Sequence, residues 1–207
     1  MPREYTDITE KTRSEDTSVL RIITGSAKGK KLLSLEGDST RPTSDRIKGA
    51  MFSSIQFDIE GRRVLDLFAG TGQLGLEALS RGAESVTFVD AEREAVDIVK
   101  QNAKSVGFFD VCRYSVSDYR NFIRKASGRD KYDLVFIDPP YAMQCAFDAL
   151  VRLSDSELLL TGAIAVVECG EEQPDLDVLS SRGFECIKNT SYGKKTALYV
   201  FIYRGVA

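Results

Sequence analysis

Asp138-Pro139-Pro140-Tyr141 combines residue types that suit the capture of an amine. The two prolines remove backbone donors and stiffen the loop. That leaves the Asp138 carboxylate and the Pro139 carbonyl as a dense pair of acceptors, matched to an exocyclic amino group, which is a donor. Tyr141 adds an aromatic face on which a flat base can stack. The same four residues, taken alone, also make a rigid turn with a packed tyrosine.

A second group lies upstream. Gly70-Thr71-Gly72-Gln73-Leu74-Gly75 is a G-x-G-x-x-G following the apolar run Val64, Leu65, Leu67 and Phe68 and preceding Leu76-Glu77-Ala78-Leu79. Missing side chains at Gly70, Gly72 and Gly75 permit a tight turn and let a ligand approach the backbone at a helix N-terminus. Asp90, fifteen residues after Gly75, stands where an acid accepts hydrogen bonds from ribose hydroxyls. NAD and S-adenosylmethionine both meet that description. Asp66 separates them: a carboxylate at the mouth of the first strand repels a pyrophosphate and suits the ammonium and sulfonium of S-adenosylmethionine. An NAD-dependent oxidoreductase stays as the alternative, because the glycines and Asp90 serve it too.

These residues need a scaffold that gathers them. The pattern predicts strands at Val64–Phe68, Val86–Asp90, Val111–Ser115, Tyr132–Asp138 and Ile164–Cys169, with helices near Gln73–Ser80, Ala91–Val106, Asp118–Lys125 and Met143–Leu153 between them. Strands separated by single helices imply right-handed crossovers and a parallel sheet. Phe184–Lys188 and Thr196–Tyr203 are too close for a crossover helix and are expected to close the sheet as an antiparallel pair. Ligands bind beyond the carboxyl ends of strands in such a sheet. Asp66, Asp90, Asp118 and Asp138 then share one rim.

Upstream, Val19–Ile23 and Lys30–Leu33 read as a basic β-hairpin whose loop carries Lys28. Arg41-Pro42-Thr43-Ser44-Asp45 follows, with Thr43 or Ser44 as N-cap of a helix over 44–56. The expected organisation is a flexible tail over 1–18 and one domain over 19–207, comprising a hairpin (19–40), a helix (44–56) and an α/β core (62–207).

Composition excludes several chemistries. The 207 residues contain no histidine, so no Ser-His-Asp or Cys-His catalysis can be built from this chain. Cys112, Cys145, Cys169 and Cys186 form no C-x-x-C pair and read as free thiols rather than metal ligands; no metal is expected. Apolar runs fall short of the roughly 20 residues that span a bilayer, and Met1–Val19 is too polar for a secretory signal, so a cytoplasmic location is expected. Between Arg21 and Lys48 seven basic residues face three acids, leaving +4 there and −7 elsewhere against the total of −3. A basic end on an acidic body fits a localised polyanion contact; a solvated charge cluster is the plain alternative.

Asp66–Leu79 resembles the nucleotide-binding motif of Rossmann-like S-adenosylmethionine-dependent methyltransferases, and Asp138–Tyr141 their D/N-P-P-Y/F motif for amino nitrogens. Within that class, Arg21-Ile-Ile-Thr-Gly-Ser-Ala-Lys-Gly-Lys-Lys-Leu32, Arg41-Pro-Thr-Ser-Asp-Arg46 and Ser191–Tyr199 resemble the RsmD family of bacterial 16S rRNA guanine-N2 methyltransferases. The resemblance implies a Rossmann-like class I fold with a mostly parallel seven-stranded sheet. It also implies S-adenosylmethionine as cofactor, held by Asp66, Gly70, Gly72, Gly75, Asp90, Asp118, Arg41 and Thr43, and catalysis by Asp138, Pro139 and Tyr141. The partner implied is 16S rRNA or a small-subunit assembly intermediate, its phosphates gripped by Lys28, Lys30, Lys31, Arg41 and Arg46; separately, a monomer is expected. A D/N-P-P-Y motif accepts any planar amine, so DNA adenine and protein glutamine are alternative substrates, and a non-catalytic RNA-binding module is a third class.

Overall fold

The computed structural model describes residues 20–34, 45–193 and 196–206. The expected tail, Arg41, Thr43, Ser44, Lys194 and Lys195 lie outside these residues.

Among the described residues, seven strands form one sheet: β1 (Arg63–Asp66), β2 (Ser85–Asp90), β3 (Cys112–Val116), β4 (Tyr132–Ile137), β5 (Leu159–Cys169), β6 (Phe184–Tyr192) and β7 (Thr196–Tyr203). Their order is β3-β2-β1-β4-β5-β7-β6. β1 to β5 pair in parallel, and β7 pairs antiparallel with both β5 and β6. Thus β7 alone runs against the rest. The expected antiparallel pair is present, with β7 inserted between β5 and β6 and β6 left at the edge.

Helices cover both faces, which is why the middle strands read as continuous apolar runs. On one face α1 (Asp45–Ser54), α2 (Gln73–Ser80) and α3 (Arg93–Val106) pack over Val64, Phe88, Phe136, Val166 and Val200. On the other, α4 (Tyr119–Ala126), α5 (Ala146–Asp155) and α6 (Leu176–Ser181) pack over Leu65, Val135, Val167 and Phe201. Crossovers change face between β3 and β4, so the strand order reverses at β1 and β4. That junction is the switch point where an open sheet leaves a crevice.

Several boundaries differ from the sequence reading: β1 ends at Asp66 rather than Phe68, β6 runs on to Tyr192 rather than Lys188, α3 begins at Arg93 rather than Ala91, and two others move for identifiable local reasons. α5 begins at Ala146, not Met143: Tyr141–Met143 forms a 3-10 turn, Gln144 is left-handed at φ 44°, and the Glu172 carboxylate caps the Ala146 and Phe147 amides. β5 begins at Leu159, because its register with β4 shifts between Tyr132 and Leu134 and Gly162, at φ 87°, absorbs the irregularity.

Residues 20–34, where a basic hairpin is expected, pack against the core. Their hairpin is reduced to one bridge, Arg21 to Lys31, yet Ile22, Ala27 and Leu32 are buried in the core beside α1 and α2. Their polar backbone is taken up by α2. The buried Glu77 carboxylate accepts the Ile23 and Thr24 amides at 2.6 and 3.0 Å, while the Ser80 hydroxyl accepts from Ala27 N–H and donates to the Thr24 carbonyl. Gly25 is obligatory there: at φ 87°, a Cβ would lie 1.8 Å from the Ser80 carbonyl oxygen.

Candidate active site

The glycine turn sits between β1 and α2, and each of its parts is held from a different element. Gly72 caps α2 in the left-handed region at φ 79°. A Cβ on Gly75 would fall 2.4 Å from the Phe88 ring, so its absence lets α2 close onto β2. A Cβ on Gly70 would meet nothing within 4 Å; its φ of 50° and open surroundings leave the backbone free to face a ligand. The turn is further tied to α3: the buried Asn102 side-chain amide donates to the Thr71 and Leu33 carbonyls, and its oxygen accepts the Leu33 amide at 2.7 Å. Residues 20–34 and the turn are thereby linked through one side chain.

The four rim aspartates prove chemically distinct. Asp66 is 1% exposed and accepts the Gly75 amide at 3.0 Å. Burial, with help from nearby Asp90, pushes its carboxyl up to about 7, against the opposing pull of that amide. Asp90 accepts the Gly70 amide at 2.8 Å through one oxygen and the Glu92 amide at 2.9 Å through the other. Each oxygen has a second lone pair for a further donor. Asp118 is the exposed N-cap of α4, accepting from the Arg120 and Asn121 amides. These bonds hold its carboxyl below the usual range although burial works against them. Asp138 follows the end of β4, half-buried.

Because β4 pairs with β1, Asp138 stands just past the end of the strand next to the one that launches the glycine turn. Pro139 is buried and Pro140 exposed. Tyr141 turns back over the neighbouring strand ends: its hydroxyl donates to Glu168 Oε1 at 2.8 Å and lies 3.0 Å from Thr196 Oγ1. Burial and the Glu168 and Asp138 carboxylates push the Tyr141 hydroxyl above its ordinary range, so it stays protonated. Glu168, Thr196, Glu77 and Asn102 escaped the sequence reading. A visible signal existed for two of them: Glu168 is the one acid in the apolar run Ala163–Cys169, and Glu77 the one acid in Leu74–Leu79.

The basic residues are divided. Lys28 and Lys31 are exposed, but the hairpin tip lies against Ser80, at the end of α2 about 12 Å from the glycine turn. Lys30 is occupied, its ammonium donating to the Val106 carbonyl at the C-terminus of α3 at 3.2 Å. Arg46 is exposed on α1. The four cysteines are free, Cys145 and Cys169 buried and Cys112 and Cys186 half-buried. No group of histidine, cysteine or acid side chains arranged to hold a metal occurs among the described residues, and no helix there is long and apolar enough to cross a membrane.

The family model described as conserved hypothetical protein 95 matches residues 20–201. YlbH of Bacillus subtilis is 37% identical over 154 residues, covering 74% of this chain and 84% of that protein. Ribosomal RNA small subunit methyltransferase D of Haemophilus influenzae is 32% identical over 160 residues, covering 75% and 81%. Among solved structures, the Escherichia coli protein yhhF superposes with a TM-score of 0.78 at 28% identity, covering 90% of this chain and 98% of that one. The sheet, the glycine turn at its switch point and these matches together identify the chain as a member of the RsmD family, with the Rossmann-like class I methyltransferase fold.

Proposed function

We propose that this protein transfers the methyl group of S-adenosylmethionine to the exocyclic N2 amine of a guanine in 16S rRNA. One observation carries the proposal: the acceptor cluster at Asp138-Pro139 follows β4, the immediate neighbour of β1, so an amine held there adjoins the ligand cradle of the glycine turn.

The residues present fit the cofactor. Gly70 opens the turn, Asp90 offers acceptor capacity toward ribose hydroxyls, and Asp66 supplies a carboxylate near the place of a cationic group. Gly72, Gly75 and Asp118 shape the same rim, and the proposal extends to Arg41 and Thr43. When bound, the sulfonium supplies an already activated methyl group. The remaining work falls to this chain. A guanine amine is a poor nucleophile because its lone pair is delocalised into the ring. Acceptance of the amine hydrogens by the Asp138 carboxylate and Pro139 carbonyl orients that pair out of the ring plane, and Tyr141 supports the base. None of this calls for a histidine.

A base inside a helix cannot reach such a pocket, so the substrate is single-stranded or flipped RNA. Exposed Lys28, Lys31 and Arg46, with Arg41, serve the phosphates, and Lys30 contributes through the position of the hairpin. The protein acts in the cytoplasm as a monomer on 16S rRNA or an assembling small subunit.

The test is incubation of the protein with labelled S-adenosylmethionine and, separately, naked 16S rRNA, assembled small subunits, DNA and protein, followed by nucleoside analysis. Label in N2-methylguanosine is expected. Label only in DNA or protein, or tight NADH binding without S-adenosylhomocysteine binding, overturns the reading.

A further inference from the structure

Tyr141 is the exposed aromatic of the acceptor loop, and its 45% exposure would ordinarily leave such a ring free to rotate. It is instead gripped at both ends. Its root packs on Gly170, where a Cβ would stand 3.2 Å from Tyr141 Cγ and 3.3 Å from its Cβ. Its hydroxyl meets Glu168 at 2.8 Å and Thr196 at 3.0 Å. The two polar partners come from fixed parts of the sheet, and Gly170 directly follows β5. Ile137, the last residue of β4, pairs with Val167, so Asp138 just past β4 and Glu168 within β5 each directly follow that pair. Cys169 pairs with Ala197, which sets Thr196 at the start of β7 opposite the end of β5. Glu168 is 3% exposed and Thr196 9%.

Resting on the methyl-transfer reading, we infer that Glu168, Thr196 and Gly170 are positioning residues that clamp the Tyr141 ring as a preset platform for the target base. Burying a carboxylate at a strand end is costly without compensating polar partners. Here it accepts a hydrogen bond from a hydroxyl that burial keeps protonated, a charge-assisted bond stronger than a neutral one. The clamp lowers the rotamer freedom that a stacking side chain would otherwise lose when the base arrives. It also gives the placement of β7 between β5 and β6 a functional sense, since that placement brings Thr196 to the catalytic loop.

The predicted signature is coupling. Glu168→Ala should lower kcat on rRNA roughly tenfold, the scale of a hydrogen bond to a charged group, with Glu168→Gln recovering much of it because an acceptor oxygen remains. Tyr141→Phe and Glu168→Ala combined should be no worse than Tyr141→Phe alone. Gly170→Ala is an independent probe, since Gly170 has an ordinary backbone φ and the added methyl meets the Tyr141 side chain first; Thr196→Val is another. S-adenosylhomocysteine affinity, measured by calorimetry, should be unchanged in all of these variants. A second readout needs no turnover: quenching of an RNA oligonucleotide carrying 2-aminopurine at the target base should weaken in Gly170→Ala and Glu168→Ala. If the wild type methylates rRNA while Gly170→Ala and Thr196→Val match it in kcat, KM and quenching, the clamp is wrong. Absence of rRNA methylation by the wild type would instead remove the parent reading.

Discussion

The Asp66 carboxylate, last residue of β1, accepts the Gly75 amide of α2 at 3.0 Å across the glycine turn. The residue proposed to attract a cationic cofactor is therefore also the strut that shapes the turn. The two duties conflict electrostatically. A buried carboxylate with a carboxyl pushed up to about 7 destabilises the fold when ionised, yet the ionised form is the one that attracts an ammonium or sulfonium.

Stability should fall with rising pH across that range. The folded carboxyl holds its proton up to about 7 whereas the unfolded one releases it near 3.8, so the folded state binds more protons between these values and loses stability as pH climbs through them. Asp66→Asn keeps an acceptor for the Gly75 amide and removes the charge. Its Tm should exceed that of the wild type at pH 8 but not at pH 4, each kcal/mol of relief being worth about 2–4 °C for a chain of this size. S-adenosylhomocysteine affinity should drop. Parallel melting curves at both pH values would contradict the assignment of Asp66.

Asp138→Ala should leave cofactor binding nearly intact and reduce kcat by about 10²–10³-fold, the range for removing a group that acts on the developing transition state. Single-turnover methylation of small subunits, with calorimetry on S-adenosylhomocysteine, separates the two effects. Retained turnover would end its assigned role.

Glu77→Ala should be among the most damaging single changes. It strips the Ile23 and Thr24 amides of their acceptor and leaves the buried Lys48 ammonium, 4.0 Å away, without that carboxylate. Breaking a buried pair on one side costs about 3–5 kcal/mol. Denaturant midpoints would measure it, and protease cleavage within residues 20–34 should precede global unfolding.

Lys28 and Lys31 should behave differently from Lys30. Replacing the first two with serine should raise the RNA KM and flatten its salt dependence by about 0.7–0.9 in log–log slope for each phosphate left without its lysine. Lys30→Ser should chiefly lower stability, because its ammonium is held by the Val106 carbonyl. An unchanged salt slope in the double variant would mark these lysines as a solvated cluster.

Much of the core was legible in sequence because a buried parallel strand has to be apolar on both faces and a crossover helix on one. Gln73–Ser80 and Thr196–Tyr203 were expected at their observed bounds, and the antiparallel closure followed from the short link between the last two strands. The boundaries of α5 and β5 were not legible, since they depend on a carboxylate 26 residues away capping Ala146 and on a register shift against β4. Pattern along the chain carries no information about such partners.

The amino-acid sequence by itself determined the chemistry available: no histidine, a glycine turn followed by a helix, four aspartates at strand ends, and an acceptor loop at Asp138-Pro139. It determined these because residue type sets what a side chain can donate, accept or stack upon. Only the tertiary structure decided which of those groups meet. It brought Glu168 and Thr196 to Tyr141 from β5 and β7, gave Asp66 a buried and Asp118 an exposed setting, and set the hairpin tip at the far end of α2. Hydrogen bonds and burial depend on distance in space, and residues 27 and 55 positions from Tyr141 in the chain reach it only after the sheet has formed.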